Sequence, residues 1–177
     1  MQKVRVTITA ASLVGVMMIA TGAEQTSPPL SPSCAAPQHR QFDFWIGDWD
    51  VTENGKAAGV NRIERILDGC GLLESWSGAT GYRGNSLNFY DASRKRWHQT
   101  WTDTSGLALS LDGEFVGGDM VLAGARFDAE RQLTIYDRIT WTPRADGTVR
   151  QLWETSADGK TWSAIFDGLY SRKPPAR

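Results

Sequence analysis

Three side chains in this sequence have the chemistry to move a proton inside a binding site: Glu74, Asp103 and His98. Each lies in a run where apolar and polar residues alternate, the period-two pattern of a β-strand, so parity decides which neighbours share its face. Glu74 shares a face with Leu72 and Trp76. Asp103 shares one with Trp97, Gln99 and Trp101, and the same alternation groups Gln151 with Trp153 and Thr155. Comparable sets are Ser86, Asn88 and Tyr90; Tyr136, Arg138 and Thr140; and Trp162, Ala164, Phe166, Gly168 and Tyr170. If these sets face one interior, the ligand-binding candidates are Trp76, Asn88, Tyr90, Gln99, Trp101, Arg138, Gln151, Trp153 and Phe166.

Such an interior needs a reason, because a buried amide or charge without a partner costs about 1 to 3 kcal/mol or more. Rings beside Gln, Asn, Arg and Glu suit a compact polar or aromatic molecule better than a fatty-acid tail. The opposite parity would put Leu73, Leu87, Phe89, Ile135, Ile139 and Leu152 inside and leave the polar residues on the outer wall. Within the first arrangement Arg138 could clamp a ligand carboxylate and Glu74 could act as a base, or the two could neutralise each other. His98 has the parity opposite to Gln99 and Trp101, and the plainer role for such a histidine is outward stacking on the neighbouring strand.

Other chemistries find little support. No serine sits in a Gly-x-Ser-x-Gly elbow, and Gly159-Lys160-Thr161 lacks the upstream glycine of a phosphate loop and reads as a hairpin turn. Two separated histidines and two cysteines are too few for a metal-ligand set, so neither metal nor cofactor is expected.

The elements that must carry these residues are short strands. From Phe42 to Tyr170 the chain is rich in Val, Ile, Thr, Trp, Tyr and Phe and is punctuated by Asn54-Gly55, Asp68-Gly69, Gly117-Gly118, Asp146-Gly147 and Asp158-Gly159. The runs between predict about ten strands, over 45–53, 58–67, 71–78, 85–91, 96–103, 107–115, 119–127, 132–142, 148–156 and 161–172. Short links make sequential neighbours pair, and a ten-stranded meander would expose two long edges unless it closed. The fold expected is therefore all-β, an antiparallel up-and-down barrel over 42–172 with a short tail at 173–177; a two-sheet sandwich is the alternative.

Ahead of the barrel, residues 1–23 read as a signal peptide, with Lys3 and Arg5 before an apolar run of about 15 residues that is too short to span a bilayer. An uncleaved anchor is the alternative. Residues 24–41, with Pro28, Pro29, Pro32 and Pro37, read as a tether. Cleavage near Ala23 leaves 154 residues, with 17 basic against 20 acidic side chains interspersed. That balance predicts no nucleic-acid partner and no membrane contact after cleavage, and it leaves the oligomeric state open. Cys34 and Cys70, an even count in an exported chain, are expected to pair rather than stay as buried thiols. The bridge would close a loop of about 36 residues, which stabilises by about 3 to 4 kcal/mol.

The segments FDFWIGDWDV, GCGLLESWSG, SLNFYD, RWHQTWTD, RQLWETSADGKTW and FDGLYSRK together resemble a family of uncharacterised bacterial lipocalin-like barrels over about 130 residues. The resemblance implies a calycin-type fold, nearer the ten-stranded nitrobindin and fatty-acid-binding barrels than eight-stranded lipocalins, and brings no activity with it. It also implies that Arg172 of the last strand packs over Trp49 of the Gly47-Asp48-Trp49 opening. Haem-binding relatives of the nitrobindin kind use a histidine near the C-terminus, whereas this chain has none after His98, which argues against haem.

The expectation is a periplasmic or secreted barrel that binds a small molecule. Two alternatives stand beside it: a cofactor-independent isomerase, cyclase or lyase using the same cavity, and an envelope module whose interior is filled by its own eight tryptophans.

Overall fold

Alternation of side chains across a pleated ladder leaves each strand one apolar face, and ten such strands bury those faces by curling into a single closed sheet. The computed structural model describes residues 34–174. Its strands are β1 (Gly47–Glu53), β2 (Lys56–Ile66), β3 (Gly71–Gly78), β4 (Arg83–Asp91), β5 (Arg96–Asp103), β6 (Ala108–Val116), β7 (Asp119–Asp128), β8 (Leu133–Pro143), β9 (Val149–Ser156) and β10 (Ser163–Arg172). Every predicted strand overlaps an observed one with ends within two residues. Each strand pairs antiparallel with the next, and β1 pairs with β10 from Trp49 opposite Arg172 to Glu53 opposite Gly168, closing the barrel. Among the described residues no sheet edge is left, so the sandwich alternative falls away.

The two ends of the barrel differ. At the end where β1 begins, two short 3₁₀ turns, Pro37–Arg40 and Asp43–Trp45, fold under the sheet. Phe42 stacks on Trp45 at 4.8 Å and meets Trp97 and Trp141 edge-on at 5.6 and 5.1 Å. These four rings are fully or almost fully buried with Trp49, Met120, Leu122 and Leu111. The lower half of the interior is thus a solid aromatic core, closed from below by the chain's own N-terminal segment.

Residues 34–41 correct the expected tether: they belong to the packed unit. Cys34 is bridged to Cys70, His39 is buried edge-on against Tyr90 at 5.3 Å, and the Arg40 guanidinium donates to the Gly69 carbonyl. The disulfide supplies the reason, since it ties the segment to the turn between β2 and β3 and the remaining residues can only lie across the barrel end. The predicted signal peptide, the rest of the predicted tether and the last three residues of the tail lie outside the described residues.

The Gly-x-Trp opening has a visible cause. Arg172 lies 4.4 Å over the Trp49 ring and donates to the carbonyl of Ile46 at 3.0 Å, while the Trp49 indole donates to the Trp45 carbonyl at 2.8 Å. A Cβ on Gly47 would sit 2.6 Å from the Arg172 guanidinium, and Gly47 has a φ of +142°. Only glycine takes that backbone conformation without strain and leaves room for the arginine.

Candidate functional site

At the opposite end, where the β3–β4, β5–β6 and β9–β10 turns lie, the interior is open and holds a cavity of about 420 Å³. Its walls are aromatic: Trp76 from β3, Trp101 from β5, Trp153 from β9 and Phe166 from β10. Trp76 and Phe166 meet edge-on at 6.1 Å across the lumen. Trp101 can lie flat against β4 because Gly84 is there, where a Cβ would fall 2.2 Å from the indole. Deeper down the surface turns polar, with Glu74, Gln99, Gln151 and Tyr170, and Tyr82 and the half-exposed Ile165 stand nearer the mouth.

Glu74 is the centre of this floor and is 4% exposed. Asn61 of β2 donates to Oε1 at 2.7 Å and Ser86 of β4 donates to Oε2 at 2.5 Å. Behind Ser86 the donors continue, from Asn88 to the serine at 2.8 Å and from Gln99 to Asn88 at 2.7 Å. On the other side Asn61 reaches the Tyr170 hydroxyl at 3.3 Å, and that hydroxyl donates to Gln151. Burial pushes the Glu74 pKa up to about 7, against the pull of the Ser86 and Asn61 bonds. Burial, and then the neighbouring Glu74 charge, push the Tyr170 hydroxyl well above its ordinary value.

The other polar groups of the wall are turned to structural partners. The Trp101 indole donates to Asp103 at 2.8 Å, the Tyr82 hydroxyl donates to the same carboxylate, and the Trp153 indole donates to Asp137 at 2.9 Å. Asp137 is itself buried and ion-paired with Arg126 at 3.0 Å. Burial draws the Asp103 pKa up, but the bonds from Ser105, Tyr82 and Trp101 outweigh it and hold the carboxyl below its usual range. Among the described residues, no lysine, arginine or histidine lines the lumen, and Glu74 is its one carboxylate.

Of the residues singled out in the sequence, Glu74, Trp76, Gln99, Trp101, Gln151, Trp153 and Phe166 line this cavity together. Asn88 is fully buried beneath the floor and holds Ser86 and Gln99 rather than facing the lumen. Tyr90 lies at the closed end, against His39 and Trp97. Asp103 caps the β5–β6 turn and orients Tyr82 and Trp101 without lining the cavity.

One placement overturns the expectation, and a second follows the opposite parity of His98 and removes it as a proton-transfer candidate. Arg138 faces outward: on β8 the buried side chains are Ile135, Asp137, Ile139 and Trp141, and Arg138 pairs with Glu154 at 2.9 Å and lies 4.2 Å over the Trp162 ring. The apolar alternation of β8 outranks the grouping of Arg138 with Tyr136, so the structure holds no ligand clamp there. His98 is also on the outer wall, stacked on Phe89 at 5.2 Å and bonded to Asp112 and Thr100, both at 2.9 Å. It is the outward stacking histidine and cannot reach a ligand in the lumen.

Asn61, Tyr82 and Asp137 are the site residues that sequence reasoning missed. For Asn61 the signal was present, since it shares parity with Ile63 in β2. Tyr82 lies in a turn, where parity has no meaning. The chain matches no described protein family, and no curated protein matches it in sequence.

Proposed function

We propose that this protein is an exported binding barrel for a compact aromatic molecule that donates hydrogen bonds and carries no negative charge. The observation that carries the reading is the open aromatic cavity whose floor is Glu74 and to whose lining the described residues contribute no cation. A barrel stabilised only by its own packing would fill both halves, whereas here the lower half is solid and the upper half is hollow. A volume of about 420 Å³ lies within the range of small-molecule sites. A carboxylate ligand would meet the Glu74 charge with nothing to offset it, which sets this cavity apart from a fatty-acid site. Export is supported by the N-terminal apolar run and by the Cys34–Cys70 bridge, a linkage that persists in oxidising compartments. The outer wall carries ion pairs such as Arg138–Glu154 and Arg150–Asp167, which suits a water-facing exterior.

Isothermal titration of the purified protein against matched phenols, aryl amines and aryl carboxylates tests this. Phenols or amines are expected to bind and carboxylates to fail, and Ala58→Trp, which fills the cavity from β2, is expected to weaken binding at least tenfold. Equal binding of the carboxylates, or indifference to Ala58→Trp, would overturn the reading. A second reading, cofactor-independent proton transfer, is favoured by the near-neutral Glu74 pKa. Mass spectrometry of the same incubations separates it from carriage, because only an enzyme changes the mass or structure of what it binds.

A further inference from the structure

We infer that the cavity selects an organic cation, a protonated aromatic amine, by pairing its ammonium group with Glu74 between the faces of Trp76, Trp101 and Trp153. The inference rests on the proposed binding role and narrows it to one ligand class. Glu74 is a buried ionisable group, and the lumen offers it hydrogen-bond donors but no counter-charge. Buried charges are normally paired, so the missing partner defines what the ligand must bring. Aromatic rings add to this, because their negative faces attract an alkylammonium group that has left water. The indole N–H groups of Trp101 and Trp153 are already engaged by Asp103 and Asp137, so those two residues can offer a ligand only ring carbon.

Glu74 is also isolated from other titrating groups. On the adjoining strands its partners are Asn61 and Ser86, and across the lumen the groups are Gln99, Gln151 and Tyr170. Tyr170, and Tyr82 nearer the mouth, are the titratable side chains that share the lumen, and both stay neutral because burial pushes their hydroxyls above the ordinary value. A cation binding near Glu74 therefore has a single proton to displace.

Three probes of one shape test the inference: tryptamine, tryptophol and indole-3-acetate, titrated calorimetrically near pH 7. Tryptamine is expected to bind about tenfold or more tightly than tryptophol, with indole-3-acetate weakest. In Glu74→Gln the order of amine and alcohol is expected to reverse, because the ammonium then leaves water with no carboxylate to meet it. Repeating the wild-type titration in two buffers of different ionisation enthalpy gives a readout that needs no variant. Amine binding should release about half a proton per site near pH 7, and alcohol binding almost none. If tryptophol binds as well as tryptamine and no proton is released, the cation inference fails while the binding role stands. If none of the three binds, both fail together.

Discussion

Glu74 ties the site to the stability of the fold. Its pKa rises from 4.5 to about 7 on folding because the carboxyl leaves water for a lumen without cations. Below pH 4.5 the group is neutral in both states and the folded form bears no penalty. As pH rises toward 7 the unfolded chain ionises first, so folded stability falls, and above 7 the loss levels off at about 3 kcal/mol. Glu74→Gln removes this dependence. Urea unfolding at pH 5 and pH 8.5 should show the variant gaining about 2.5 kcal/mol on the wild type between the two, and parallel pH profiles would exclude the assignment. The sequence offered Glu74 only as one of two parities, because Leu72 and Leu73 are both apolar and either face of β3 could be the inner one. Grouping Arg138 with Tyr136 misplaces it, because Ile135, Ile139 and Trp141 mark the other face of β8 as the inner one; Asp137 on that apolar face blurs the pattern, and its ion pair with Arg126 explains its burial.

At the level of elements, turn dipeptides and alternation located every strand, but one irregularity changed what a strand presents. The register of β10 against β9 shifts between Ala164 and Phe166. Trp162 therefore lies over Arg138, on the outer wall, while Phe166 remains inside and Ile165 reaches the cavity mouth. A bulge adds one residue to one strand without any required residue type, so parity counted from Tyr170 backwards fails at that point. The β1–β10 closure is the opposite case, because Gly47 is demanded by both its backbone angle and the Arg172 guanidinium. Gly47→Ala is expected to destabilise by about 1 to 3 kcal/mol and to displace the Arg172 guanidinium from the Trp49 ring. A lowered urea midpoint together with a changed near-ultraviolet circular dichroism signal would show it, and an unaltered midpoint would mean that the closure contributes little.

Over the whole molecule the barrel is built as a plugged cup, with a solid aromatic base and a hollow upper half. The base depends on the N-terminal segment, which Cys34–Cys70 and the Phe42–Trp45 stack hold in place. Replacing both cysteines by serine should lower stability by about 3 to 4 kcal/mol, in line with a loop of 36 residues. Ligand affinity should change little, because the cavity is at the other end. Melting curves with and without reductant, run beside a titration of the bound probe, would check both statements, and a lost affinity would show that base and cavity are coupled. The sequence by itself determined the all-β class, the ten strands and the cysteine pair, because these follow from local alternation, turn chemistry and residue inventory, whereas the apposition of Trp49 with Arg172 was implied only by the family resemblance. Only the tertiary structure decided which half of the barrel is hollow and that Glu74 is left without a counter-charge. Those depend on which side chains meet across the lumen, and a one-residue slip or a segment folded under the base alters such meetings without altering any local pattern.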